Sequence, residues 1–126
     1  MTEQWDYSSM DLMDLMDRLE EAFPFARRIE VTVPLERDGS FLAELVLPVR
    51  HGESRVQLYR YPQGELYPAR ERELRWRHPH KLSFGEGRLW GWYAAWDGVA
   101  SREEMYELVS KRVQRHPLLS PTGGPG

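Results

Sequence analysis

The sequence predicts a single α+β domain, an antiparallel sheet flanked by a helix near each end of the chain. Three observations predict it. Apolar residues recur at three- and four-residue spacing over residues 8–23. Apolar and polar residues alternate between turn sequences over residues 29–61. A capped stretch of helical period begins at Ser101.

The first helix is expected over residues 8–23. Met10, Leu12, Met13, Met16, Leu19 and Phe23 form the face that joins the core or covers the sheet, and Asp11, Asp14 and Asp17 form the solvent face. Ser8 and Asp11 have capping-box spacing, and Pro24 cannot continue the helix. Ile29, Val31 and Val33 alternate with Glu30 and Thr32 as a first strand. Arg37-Asp38-Gly39-Ser40 turns the chain into a second strand over residues 41–49. His51-Gly52-Glu53-Ser54 is the next expected turn. A third strand then covers residues 55–61, with Val56, Leu58 and Arg60 on one face. Three strands in consecutive order make a meander.

Two Tyr-Pro pairs, Tyr61-Pro62 and Tyr67-Pro68, interrupt the alternation. Residues 69–77 resume it as a charged edge strand, bringing the sheet to about four strands. Residues 78–87 are irregular, and the aromatic residues 88–96 open as a short strand with Trp90 and Trp92 on one side. The last helix has the clearest signals. Ser101-Arg102-Glu103-Glu104 is a capping box, and Met105, Leu108, Val109 and Val113 follow at helical spacing. Lys111, Arg112 and Arg115 are basic near its C-terminus, and Pro117 lies just beyond. The domain is read as residues 1–119, with the Pro/Gly-rich residues 120–126 as a disordered tail.

Composition narrows the function classes. A chain of 126 residues has room for one core, and 40% apolar with 29% charged residues is globular rather than disordered. With no cysteine there is no disulfide, thiolate nucleophile or thiolate zinc site, which fits a reducing cytoplasm. No stretch approaches the roughly 20 apolar residues of a membrane span. The opening residues are acidic where a signal peptide is basic, so a cytoplasmic protein is expected. Fifteen Arg against two Lys, and no Asn, point to a GC-rich bacterial genome, and loss of Asn and Cys is a thermophile habit. A net charge of −3 argues against a general nucleic-acid binder.

No set of residues reads as catalytic. His78-Pro79-His80 offers two imidazoles, but the proline limits their convergence and neither a cysteine nor a placed carboxylate completes a tetrahedral metal set. Ser54 and Ser83 sit outside any Gly-x-Ser-x-Gly elbow, and Gly85-Glu86-Gly87 lacks the further glycines of a phosphate loop. Neither a metal nor a cofactor is expected. The Arg/Trp/His stretch from Arg70 to Trp96 has the composition of a nucleic-acid platform, yet Glu65, Glu71, Glu73 and Glu86 dilute its field. Trp76, Trp90, Trp92, Tyr93 and Trp96 read first as core aromatics.

The order of motifs resembles the ubiquitin-conjugating-enzyme-like (UBC-like) fold over roughly residues 11–117. Tyr59-Arg60-Tyr61-Pro62 and Tyr67-Pro68 are similar to that family's strand-end and Tyr-Pro segment, and His78-Pro79-His80 to its His-Pro-Asn. Glu86-Gly87-Arg88-Leu89-Trp90 resembles the turn that carries the catalytic cysteine. Trp96 before Ser101-Arg102-Glu103-Glu104 resembles the Trp preceding the helix behind the active site. The departures are decisive for activity: His80 stands where the family has Asn, the cysteine position falls on or near Trp90, and Ala69-Arg70 replaces a double proline. The resemblance therefore implies an inactive variant with no thioester nucleophile. As a function it implies a non-catalytic protein-interaction module, binding a ubiquitin-like protein or another component of a modification system through Tyr67, His78, His80, Trp90 and Trp92. The alternative in the same class is a secretion-chaperone-like adaptor, a homodimer that shares the helix–meander–helix order and binds through its Met-rich first helix. A nucleic-acid-binding domain is the alternative outside it.

Overall fold

A computed structural model describes residues 12–33, 40–62, 80–85, 90–116 and 119, and within these the side chains of Val33, Pro62 and Trp90 are left aside. Expectations that fall on other residues, including the 69–77 strand and the 120–126 tail, lie outside the described residues.

Helix α1 (Leu12–Ala22) leads into strands β1 (Arg28–Val33), β2 (Phe41–Val49) and β3 (Gly52–Pro62), then β4 (Lys81–Phe84) and β5 (Trp90–Trp96). All neighbouring strands are antiparallel, and the sheet order is β1-β2-β3-β5-β4. The fold is α+β, as expected, but the meander covers only β1 to β3. Strand β5 inserts between β3 and β4, so β3 and β4 run parallel to each other with β5 between them. The segment that the conjugating-enzyme resemblance assigns to a cysteine-bearing turn ends in a strand, where Trp90 lies opposite Pro62.

Strand boundaries depart from expectation where hydrogen bonding outweighs turn-forming residues. Residues 52–54 belong to β3, paired with Val49, Pro48 and Leu47. The β2–β3 turn is therefore the two residues Arg50 and His51, closed by Gly52 at φ +130°. Strand β4 lies in the stretch expected to be irregular. Its residues 81–84 alternate exposed and buried, a period-two signal only four residues long. The register of β1 on β2 shifts between Val31 and Val33, and the Thr32 hydroxyl there donates to the Leu42 carbonyl at 3.3 Å.

The helices cover one face of the sheet. The buried stripe of α1 is Leu15, Leu19 and Ala22, continued by Phe23. The face expected from the sequence is turned about a quarter turn from this one. Met13 consequently projects from the structure, while Leu12, on the stripe of Leu15 and Leu19, is exposed at the first described turn of the helix. At the other end, α2 (Arg102–Met105), a π-helical turn (Tyr106–Ser110) and α3 (Lys111–Arg115) follow without a break. Ser101 caps this run as expected, its hydroxyl accepting from the Glu104 N–H at 3.1 Å. The Glu104 carboxylate does not return to complete the box; it accepts from the Arg50 N–H at 2.6 Å, tying the helix to the β2–β3 turn.

Met105, Val109 and Val113 pack with the α1 stripe onto Phe41, Ala43, Leu45 and Leu47 of β2, Val56 and Leu58 of β3, Leu82 and Phe84 of β4, and Trp92, Ala94 and Trp96 of β5. Leu42, Tyr59, Tyr93 and Ala95 form a smaller cluster on the opposite face. Arg60 is wholly buried on the helix side. Its guanidinium lies 4.7 Å from the Phe41 ring centre and 5.5 Å from that of Trp92. It also donates to the Leu119 carbonyl at 3.1 Å. Leu119 is itself buried, and its N–H donates to His116 Nδ1 at 3.3 Å. That geometry places the ring proton on Nε2, 2.9 Å from Oε1 of Glu21 on α1.

Candidate functional site

Of the expected contact residues, Tyr67 and His78 lie outside the described residues. Trp90 is placed only by its backbone in β5. Trp92 corrects the expectation: it is fully buried, stacked parallel on Phe84 at 6.0 Å and set edge-on to Phe41 at 5.8 Å. A ring that fills the layer between sheet and helices presents nothing to a partner. The physical reason is strand geometry, since residues 92, 94 and 96 of β5 all point toward the helices.

His80 is exposed and does line a site. It precedes β4, and its carbonyl accepts from the Trp96 N–H at 3.0 Å. Its imidazole lies 6.0 Å from the Trp96 ring, and a methyl group on Gly98 would stand 2.6 Å from its Nε2. Glycine at residue 98, with φ +90°, is what lets the ring lie against the backbone. Around it opens a groove of about 520 Å³. His51 comes to this groove from the β2–β3 turn, Lys81 from β4 and Arg102 from the first turn of α2. Arg102 Nη1 donates to the Lys81 carbonyl at 2.9 Å, bracing that wall. Trp96 forms the floor, its indole N–H held by the Ala100 carbonyl at 2.9 Å. These residues come from separate elements, so no sequence motif joins them, although the His51-Gly52-Glu53-Ser54 turn and the Ser101 capping box each mark one side of the groove.

Asp97 supports the groove from below. Its Oδ1 accepts from the Ser54 hydroxyl at 2.7 Å and the Val99 N–H at 3.2 Å, and its Oδ2 from the Arg55 N–H at 3.0 Å. Burial alone would raise the carboxyl pKa, but the hydrogen bonds from Arg55, Ser54 and Val99 outweigh it and hold the value below the ordinary one. A depressed folded pKa means that the ionised carboxylate stabilises the fold above the ordinary carboxylate range, and that this contribution is lost as pH falls through the folded value. Asp97→Asn is expected to lower stability by about 1–2 kcal/mol at neutral pH, a charged hydrogen-bond loss discounted for partial exposure. The difference from wild type should shrink below about pH 4. Urea unfolding across pH 2–7 checks both statements; a difference that stays constant across that range contradicts them.

A second surface lies on α1. Leu12 is 52% and Met13 74% exposed, an apolar pair at the first described turn of the helix, whereas Leu15, Leu19 and Ala22 are buried. Among the described residues, no three His, Asp or Glu side chains are grouped to hold a metal ion. No helix among the described residues is long and apolar enough to cross a membrane. No family model, curated protein or solved structure matches the chain.

Proposed function

We propose that the protein is a non-catalytic protein-interaction module, an adaptor of secretion-chaperone-like form that docks its partner on α1. The pair Leu12 and Met13 carries this reading. The exposed Leu–Met pair offers a partner an apolar contact, and Met adapts to varied partner surfaces. Helices gathered on one side of an antiparallel sheet supply the rigid base such a contact needs. The same class admits the inactive conjugating-enzyme-like arrangement with a ubiquitin-like partner. The position of β5 between β3 and β4, with Trp90 in a paired strand, weighs against that arrangement.

The test is a paired substitution, Leu12→Ser with Met13→Ser. Both side chains are exposed, so the melting temperature should shift by no more than about 2 °C. Affinity capture from native extract should lose a specific protein by at least about tenfold with this variant, equivalent to about 1.4 kcal/mol. His80→Ala should retain it. If both variants recover the same proteins as wild type, α1 is not the docking face.

A further inference from the structure

We infer that the groove beside His80 is a second docking site, and that it takes an acidic–apolar peptide segment of a partner protein. The inference goes beyond the α1 reading and does not depend on it.

Charge is the first argument. Four of the described residues lining the groove are His51, His80, Lys81 and Arg102, all exposed, and none of the described lining residues is acidic. This is a local reversal in a chain of net charge −3. Of the carboxylates near these residues in sequence, Asp97 is engaged with Ser54, Arg55 and Val99, Glu104 with the Arg50 N–H and Glu53 with Arg27, while Glu103 is exposed. Lys81 and Arg102 stand exposed at the cavity, and Arg102 is held in place by its bond to the Lys81 carbonyl. A carboxylate is the complementary group.

The floor is the second argument. Trp96 and Ala100 beneath it are 1% and 4% exposed, so the apolar surface it offers is that of Val99 at the rim, 41% exposed. A simple anion would leave Val99 bare, whereas an Asp or Glu next to a Leu, Ile, Val or Phe covers it and meets the cations together. Shape is the third. The basic side chains stand at an open rim rather than around an enclosed chamber, which suits a length of chain passing across the surface.

The probe is a library of random dodecapeptides displayed on phage, selected against the full-length protein. Selection should enrich sequences with Asp or Glu adjoining a large apolar residue. A synthetic peptide of the enriched sequence should lose at least about tenfold in affinity on Lys81→Glu with Arg102→Glu, and less on the corresponding Gln pair. Its binding should weaken as salt rises from 50 to 300 mM. Replacing its acids by Asn or Gln should have the same effect as the charge reversal. Leu12→Ser with Met13→Ser should leave it unchanged, which separates this site from the α1 surface. Absence of enrichment, enrichment of sequences lacking acids, or binding that survives the charge reversal in a variant of unchanged circular dichroism overturns the inference. Stronger retention of an oligothymidylate than of the peptide at the same groove overturns it too.

Discussion

Replacing Trp92 by Ala is expected to lower the free energy of unfolding by about 3–5 kcal/mol, the largest effect of any single truncation considered. A domain of this size has about 5–15 kcal/mol in all, so the variant would be marginal at 37 °C. The indole joins the strands: it stacks on Phe84 of β4, meets Phe41 of β2 edge-on and presents its face to the Arg60 guanidinium of β3. Truncation would leave a void among residues on three strands and remove a ring that solvates a buried cation. Trp92→Phe separates ring packing from the indole N–H. That N–H is buried with no acceptor among the described residues, so its loss removes no bond. Phe should cost only about 1–2 kcal/mol, chiefly from lost volume. Urea midpoints at constant m-value give both numbers; a Phe variant as weak as the Ala variant would mean that the indole nitrogen, not the ring, matters.

The contrast between Trp92 and His80 shows how far the sequence could be read. Strand β2 and the alternation of Val56, Leu58 and Arg60 follow directly from period-two patterning, and the Ser101 cap from its local hydrogen bond. Each of these depends on residues close in sequence. Strand β4 has only four residues, and its pairing to β5 is set by Leu82 and Phe84 meeting Ala94 and Trp92 across the ladder. Local pattern cannot supply that partner. The face of α1 failed for a related reason. Leu19 and Phe23 of the expected face are buried, but Met10, Leu12, Met13 and Met16 fit a helical stripe with them as well as Leu15 and Ala22 do, and only contact with the sheet selects between the two. The groove was less legible still. His80 was singled out for its neighbours His78 and Pro79, but its companions in the groove are His51 and Arg102, brought together by the β2–β3 turn and the helix cap.

Leu119→Ala is expected to cost about 2–4 kcal/mol. Leu119 is fully buried in the main core, and its carbonyl accepts from the buried Arg60 guanidinium. Truncating the side chain weakens the apolar anchor that keeps this carbonyl in place, so part of the penalty should arise at Arg60 as a less well solvated charge. A double-mutant cycle isolates that part. Arg60→Met keeps most of the side-chain volume and removes the charge, so Leu119→Ala should cost less in the Met background, by a coupling of about 1–2 kcal/mol. Hydrogen exchange supplies the independent readout. In Leu119→Ala, amides of β3 and β5 around Arg60 and Trp92 should exchange faster than those of β1, because opening begins at the C-terminal anchor rather than across the whole sheet. Additive costs within about 0.5 kcal/mol, with uniform loss of protection across all strands, would show that Leu119 is an ordinary core residue and that the buried cation is held by the rest of the structure.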